Sequence, residues 1–312
     1  MALTLIEAAK KNDGTVIQNA IIEIYAQSVD ILRALPFENI AGNALRYNQE
    51  GTLPGIGFRG INEGYTESVG VLNPVTEPLV IAGGDLDVDK FILKTMGMDQ
   101  RSAQEAMKVK ALAHQWANTF IKGDTSTAPK QYDGLQTRLT GAQLVSNGST
   151  SGGDPLSLIN LDAAIDAVDG ATHLYMSQAM RRHLTSATRG AGTVFPAGGF
   201  ITYTQDEFGR QVAMYQGLPI LIADANDNNN PTLAFDEAGA GGGSTATSIY
   251  VLSLSPGMLG GIQNGIPEVT DIGELEAKPV LRTRVEWYAG IALWHPRAAA
   301  RLYGISDAAV VA

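Results

Sequence analysis

The sequence predicts an α+β protein in which an N-terminal arm, a long hairpin, a long helix and an α/β region follow one another. Residues 37–70 contain short alternating runs among many glycines and have no core of their own. Residues 99–122 carry apolar side chains at helical spacing. Beyond residue 155, helical and strand patterns alternate, which is typical of an α/β unit.

The N-terminal arm is predicted to contain an amphipathic helix from Thr15 to Leu35. Isoleucines such as Ile17 and Ile21 recur at helical spacing, and Pro36 ends the pattern. We expect residues 1–36 to form a separable arm.

The hairpin is predicted from two strand-like runs, Leu45–Tyr47 and Ile56–Arg59, which lie between glycines. A long two-stranded hairpin is only marginally stable in isolation, so another part of the protein or another molecule must pack on it. A disordered loop is the alternative interpretation. The aromatic and arginine content is high for a disordered segment, which favours the hairpin.

Next along the chain are a predicted edge strand and two predicted helices. Residues 71–82 contain prolines that cannot donate to a β-ladder, which indicates an edge strand. Asp85, Asp87 and Asp89 are expected to open a short helix, because carboxylates are favourable near the positive end of its dipole. The long helix is predicted to begin at Asp99 or at Ser102, with Glu105 as the second residue of a capping box.

The last third of the chain includes a long strand predicted over Val280–Leu293, which is rich in β-branched and aromatic residues. Alternation places Arg282 and Arg284 on one face of it. We expect these arginines to form intersubunit ion pairs with acidic neighbours such as Glu274, Glu276 or Glu286. A solvated charged face is the alternative for each of them.

Composition favours a protein that works in an assembly. Only 17% of residues are charged, 45% are hydrophobic, and glycine occurs 35 times in 312 residues. A monomer usually has more charged residues on its surface, so this composition indicates that neighbouring subunits cover much of the surface. An ordinary protein rich in alanine and glycine is the alternative.

A net charge of −10 argues against a site that grips nucleic acid, so contact with DNA is expected to be passive.

Targeting signals and known catalytic motifs are missing from the sequence. It has no signal peptide, no apolar run long enough to span a membrane, and no cysteine. It also lacks a phosphate-binding loop, a zinc helix and a dinucleotide fingerprint. Gly148–Gly152 approaches a nucleophile elbow but has Thr150 at its centre. Asp85–Asp89 and Asp224–Asn228 both lack the glycine and the closing glutamate of a calcium loop. We therefore predict no catalytic, cofactor-binding or metal-binding residue, and no enzyme.

The order of these parts, and several stretches within them, resemble the major capsid proteins of tailed bacteriophages, which have the Hong Kong 97-type fold. The stretches that carry the resemblance are Leu35–Glu38, Tyr47–Gly55, Phe58–Gly64, Gly83–Asp89, Ile201–Thr204, Asp206–Gln211 and Arg282–Tyr288. No single motif among them is diagnostic, but their order is.

The resemblance implies a structural division of the chain. The implied parts are an arm over residues 1–36, an extended loop over residues 37–70 that lies on the adjacent subunit, a peripheral domain over residues 71–154 and 276–300 with its spine helix at 99–122, and an axial domain over residues 155–275 and 301–312. The intersubunit contact candidates are Arg46, Tyr47, Phe58, Arg59, Glu63, Arg282, Arg284 and Glu286.

The resemblance also implies the function and partners of the chain. It would self-assemble into hexamers and pentamers of an icosahedral phage head around double-stranded DNA, after synthesis in the cytoplasm of the host bacterium. Expected partners are further copies of itself, a separate scaffold protein, a portal and a decoration protein. Some relatives cross-link through a lysine of the extended loop, but this chain has none between Lys11 and Lys90, and its short arm leaves no room for a cleaved scaffolding segment. The shell of a cellular nanocompartment and an α/β hydrolase are the alternatives.

Overall fold

Helices and strands alternate throughout the computed structural model, which describes residues 29–96, 99–189, 201–205, 211–223 and 231–311. The helices are α1 (Asp30–Ala34), α2 (Lys90–Met96), α3 (Asp99–Lys122), α4 (Leu135–Arg138), α5 (Leu158–Asp166) and α6 (Gln178–Arg189). The strands are β1 (Phe37–Asn39), β2 (Ala44–Thr52), β3 (Val71–Pro78), β4 (Val80–Asp89), β5 (Leu144–Ser146), β6 (His173–Ser177), β7 (Ile201–Gln205), β8 (Gln211–Tyr215), β9 (Leu218–Ala223), β10 (Thr247–Leu252), β11 (Leu259–Gln263), β12 (Glu268–Glu274), β13 (Val280–Leu293) and β14 (Ala299–Ile305).

The predicted arm is only partly within the described residues. Most of the helix predicted from Thr15 to Leu35 lies outside them. Its described end is α1, whose Ile31 and Leu32 are fully buried. The Asp30 carboxylate accepts a hydrogen bond from the backbone N–H of Ile222 on β9, at 3.3 Å. This end of the arm is therefore part of the folded body.

One sheet, called sheet A here, has the strand order β1-β11-β13-β12, and β4 also pairs with β13. The long strand predicted at Val280–Leu293 is confirmed as β13. Its residues alternate between a buried face that includes Val285, Trp287 and Ile291 and an outer face that carries the arginines. Alternation along an extended strand produces this division.

The long helix α3, predicted at residues 99–122, is confirmed and packs on the buried face of sheet A. The ring centroid of its Trp116 lies 5.8 Å from that of Trp287 and 5.6 Å from that of Phe37. The centroids of Phe37 and Trp287 are 5.4 Å apart. Tilted aromatic packing of this kind adds stability beyond the buried area alone. The aromatic cluster fixes the helix against the sheet.

A second sheet, called sheet B here, has the strand order β5-β14-β10-β6-β9-β8-β7. Helices α5 and α6 pack on it, with Leu161 and Leu184 fully buried in the interface. The alternation of helices and strands predicted after residue 155 is thus confirmed. Arg301 and Glu237 form an ion pair inside this part of the chain, 2.9 Å apart and both under 9% exposed.

The structure corrects two local predictions and decides a third. Asp85 and Asp87 do not open a helix but lie on β4, and only Asp89 accepts a hydrogen bond at the start of α2, from the N–H of Phe91 at 2.7 Å. The run Ile56–Arg59 is irregular rather than a strand. Of the two predicted starts of helix α3, Asp99 is confirmed, and Ser102 lies inside the helix. Pairing with β13 outweighs the helix preference of the aspartates, because arginines stand opposite them.

Candidate assembly surface

The hairpin is formed by β2 and β3, which pair antiparallel from Ala44 opposite Pro78 to Thr52 opposite Val71. The returning strand is therefore the segment that the sequence predicted as an edge strand. Between the two strands, residues 53–70 form an irregular tip, called the hairpin tip here. The sequence predicted the excursion correctly but placed its second strand too early in the chain.

The base of the hairpin is held by a buried ion pair between Glu77 and Arg138. The Arg138 Nη2 and the Glu77 Oε2 are 2.7 Å apart, and Glu77 is 5% exposed. Arg138 also donates from Nε to the backbone carbonyl of Asp133, at 2.6 Å. A bidentate guanidinium–carboxylate pair has a strict geometry, so it fixes β3 relative to α4.

Two side chains on β2 also tie the hairpin base to the body. The Tyr47 hydroxyl donates to the carbonyl of Leu293 at 2.8 Å, and the Gln49 amide donates to the same carbonyl at 2.6 Å. Burial, followed by the nearby charge of Glu77, raises the pKa of Tyr47 well above its usual value. Tyr47 therefore serves as an intramolecular anchor in this chain, whereas Arg46 on the other face of β2 is exposed.

The hairpin tip exposes nearly all of its apolar side chains. Phe58 is fully exposed, and Ile56 and Ile61 are 96% and 94% exposed. The remaining exposed apolar residues of the tip and its neighbouring strand are Leu53, Tyr65, Val69, Val71 and Leu72. Isolated exposed apolar residues are ordinary, but a contiguous set on one projection marks a surface that another molecule covers.

The tip keeps its shape through polar contacts near its end. The Glu63 side chain accepts a hydrogen bond from the backbone N–H of Gly60 at 2.8 Å, and Arg59 donates to the Glu63 carbonyl at 3.2 Å. The Arg59 guanidinium lies 5.2 Å from the ring centroid of Tyr65. Arg59 and Glu63 are thus brought together by the fold, next to Phe58, as a small structured turn.

The outer face of sheet A carries a charged ladder. Arg282 donates to Asp87 at 2.6 and 2.7 Å, and Arg284 donates to Asp85 at 2.7 and 3.1 Å. These hydrogen bonds lower the pKa of both carboxyl groups. Glu286 lies beside Arg284, with the closest oxygen 3.9 Å from its Nε.

The ladder gives these arginines partners within the chain that the sequence analysis did not name. Their main partners are Asp85 and Asp87 of the same chain, which face them across the β4–β13 register. Glu274 instead pairs with Lys90. The charges are therefore largely neutralised before a second copy arrives, because cross-strand neighbours on one face are the closest acids available.

A groove of about 390 Å³ runs between β4 and helix α3. Leu112 and Trp116 contribute to its apolar lining, and Lys108 and Lys130 are among its polar residues. In the described part of the chain, β4 pairs with a single strand, β13, so its other edge has unpaired backbone groups. An open strand edge can accept an extended segment of another molecule.

The predicted contact residues thus fall into three places: Arg46 and Tyr47 on β2, Phe58, Arg59 and Glu63 at the hairpin tip, and Arg282, Arg284 and Glu286 on sheet A. Sequence reasoning missed Ile56 and Ile61 as exposed apolar residues of the tip. Their presence in a glycine-rich, coreless segment was the available signal.

Within the described ranges, no three histidine, cysteine, aspartate or glutamate side chains lie together as a metal site would require. No helix among the described residues is long and apolar enough to span a bilayer.

Comparison with known proteins gives consistent results. Residues 11–159 match the family of major capsid protein GP7. The holo-SrpI encapsulin complex from Synechococcus elongatus PCC 7942 has a similar fold, with a TM-score of 0.63, 16% identity, and coverage of 100% of this chain and 99% of that chain.

A structure from Mycobacterium phage Adephagia gives a TM-score of 0.62 at 12% identity, covering 90% of both chains. The capsid of a native GTA particle gives 0.61 at 16% identity, covering 89% of this chain and 91% of that one. No curated protein matches the chain in sequence.

Proposed function

Because this chain has the Hong Kong 97-type capsid fold and matches the major capsid protein GP7 family over residues 11–159, we propose that it is the major capsid protein of a tailed phage. Copies of it would form hexamers and pentamers that close into an icosahedral head around double-stranded DNA. The protein would be made in the cytoplasm of the host bacterium and reside in the virion. A fold can host many functions, and the feature of this chain that calls for assembly is its hairpin.

The observation that carries the proposal is the hairpin tip. Its base is fixed by the Glu77–Arg138 pair, so the tip projects in a defined direction. Its apolar side chains, with Phe58 foremost, have no cover within the described residues of the same chain. A second copy of the molecule would supply that cover, and each subunit would do the same for the next one around a ring.

The domain assignment belongs to the same proposal. Helix α3 and sheet A would form the peripheral domain, and sheet B with α5 and α6 the axial domain near the five-fold and six-fold axes. The hairpin would lie on the adjacent subunit, where Arg282, Arg284 and Glu286 are contact candidates. A separate scaffold, a portal and a decoration protein are the expected further partners.

A hairpin-shortening variant tests the proposal. Thr52 pairs directly with Val71, so replacing residues 53–70 by Asn-Gly leaves a two-residue turn of the type that closes such a hairpin. We expect a folded subunit that no longer builds shells. A matched variant that keeps the length of the tip but replaces its apolar residues by serine should fail in the same way. Intact particles from both variants, seen by negative-stain microscopy, would contradict the proposal.

The shell of a cellular nanocompartment is the second candidate function. It is favoured by the similarity to the SrpI encapsulin complex, which extends over 100% of this chain. Electron microscopy of particles isolated from the native source separates the two functions. A DNA-filled interior supports a phage head, and an interior that holds protein cargo supports a nanocompartment.

A further inference from the structure

Helix α6 carries the adjacent residues Arg181 and Arg182 in its first half, and no ion pair is found for either among the described residues. Arg46 and Arg59, both exposed, likewise have no ion pair among the described residues, but most other described arginines do. The arginines that are ion-paired are Arg33, Arg101, Arg138, Arg282, Arg284, Arg297 and Arg301. In a chain with a net charge of −10, two neighbouring arginines without a carboxylate partner need a physical reason.

The cavity that both arginines line contains many hydrogen-bonding groups but no acid among its described residues. A cavity of about 350 Å³ is lined by Gln178, Arg181, Arg182, Thr185, Ser186 and Tyr203. It adjoins a second one of about 410 Å³, lined by Thr185, Thr188, Ile201, Tyr203 and Gln211. None of these described lining residues is an aspartate or glutamate. Arg182 also borders a separate cavity with Asp307, whose carboxylate is bonded to His183 at 2.6 Å.

Two further observations point to an anion in this place. The Nε atom of Arg181 is buried and has no hydrogen-bond partner within the described structure, a condition that is rare for a buried donor. Arg181 also lies in the first turn of α6, which contains no acidic residue. The helix dipole is positive there, so cations at this end are unfavourable unless an anion compensates them.

We propose that Arg181 and Arg182, together with Ser186 and Tyr203, form a phosphate-binding site. The planar guanidinium fork matches two oxygens of a phosphate, and both arginines line the same cavity. In a DNA-filled head, the source of the phosphate would be the DNA backbone, and this part of the inference depends on the proposed function. The site would then be a local exception to the passive DNA contact that the net charge of the chain predicts. A phosphate site for a small molecule would not depend on it.

The test uses the full chain and two probes: inorganic phosphate, measured by calorimetry, and a short fluorescein-labelled DNA duplex, measured by anisotropy. The variant Arg181→Gln/Arg182→Gln removes the two charges. The control Lys94→Gln/Lys110→Gln removes the same charge from exposed lysines elsewhere. Far-UV circular dichroism and thermal melting confirm folding, and sedimentation of the same samples reports assembly separately.

We expect the arginine variant to bind both probes about tenfold more weakly than the wild type, with the control unchanged. The slope of the logarithm of the duplex binding constant against the logarithm of the salt concentration should decrease in magnitude by about 0.9 for each lost phosphate contact. Arg181→Lys/Arg182→Lys should bind with intermediate affinity, because it keeps the charge but loses the fork.

The two probes separate the sources of phosphate. Competition between them shows one shared site for DNA, whereas binding of phosphate alone supports a site for a free phosphate group. Equal affinity of the wild type and the glutamine variant for both probes would overturn the proposal. Loss of particles from the glutamine variant without any phosphate binding by the wild type would overturn it as well, and would assign the arginines to an acidic surface of another copy.

Discussion

Replacing Phe58 by serine separates the stability of the subunit from the stability of the shell. The Phe58 side chain is fully exposed in the single chain, so the variant removes nothing that holds the subunit together. In a shell, burial of this ring against another copy would contribute about 2 kcal/mol per subunit. A loss of that size raises the subunit concentration needed for assembly about thirtyfold.

Light scattering and sedimentation over a range of subunit concentrations measure this threshold. Phe58→Leu is the matched control, since it keeps most of the apolar surface and should assemble close to the wild-type concentration. The thermal melting of unassembled subunits should be equal for all three proteins. If Phe58→Ser assembles at the wild-type concentration, or if it melts earlier as an unassembled subunit, the tip is not covered by another copy in the way we describe.

Three other perturbations test the fold around this surface. Glu77→Gln should destabilise the subunit by about 3 kcal/mol, because it leaves the Arg138 charge buried without its partner; denaturant unfolding measures this, and a change near zero would contradict a buried pair. Gly261→Ala should lower the free energy of unfolding by about 1–3 kcal/mol, because the added Cβ would lie 2.3 Å from the Phe37 ring. The control Gly64→Ala has open space around the added Cβ and should leave the free energy of unfolding nearly unchanged. Burial lowers the pKa of His173 to about 4, so between about pH 6.5 and 4 the unfolded chain binds a proton that the folded chain does not. The melting temperature should therefore fall as the pH is lowered through this range. The fall should be smaller in His173→Gln, which has no imidazole to protonate.

The sequence predicted the elements whose pattern is long and local. Residues 99–122 repeat apolar side chains over many turns, and Val280–Leu293 is rich in β-forming residues, so both appear in the structure as predicted. The coreless character of the hairpin was also visible, because seven glycines separate the apolar residues of residues 37–70 into short runs. These features depend on neighbours in the sequence.

Features that depend on distant partners were not predictable in the same way. Asp85 and Asp87 carry a helix-capping pattern, but arginines almost two hundred residues later select the strand. The short strand β1 pairs in parallel with β11, and neither run is long enough to show its period. Glu77 is an ordinary acidic residue in the sequence, and only Arg138 makes it a buried anchor.

The candidate site shows the same division. The contact candidates Phe58, Arg59 and Glu63 lie at the exposed hairpin tip. Tyr47 is a contact candidate as well, yet its hydroxyl donates to the carbonyl of Leu293 within the chain. The direction in which a strand residue points depends on the register of the whole hairpin, which the local sequence does not set.

Sedimentation velocity of the full chain, expressed alone and concentrated, tests the central claim most directly. If the hairpin tip needs a second copy of the molecule, the protein should sediment as capsomer-sized rings or megadalton particles, and diluting it should release subunits. A single slow boundary that stays monomeric at high concentration, from a protein whose tip is protected from hydrogen exchange by its own body, would contradict the account.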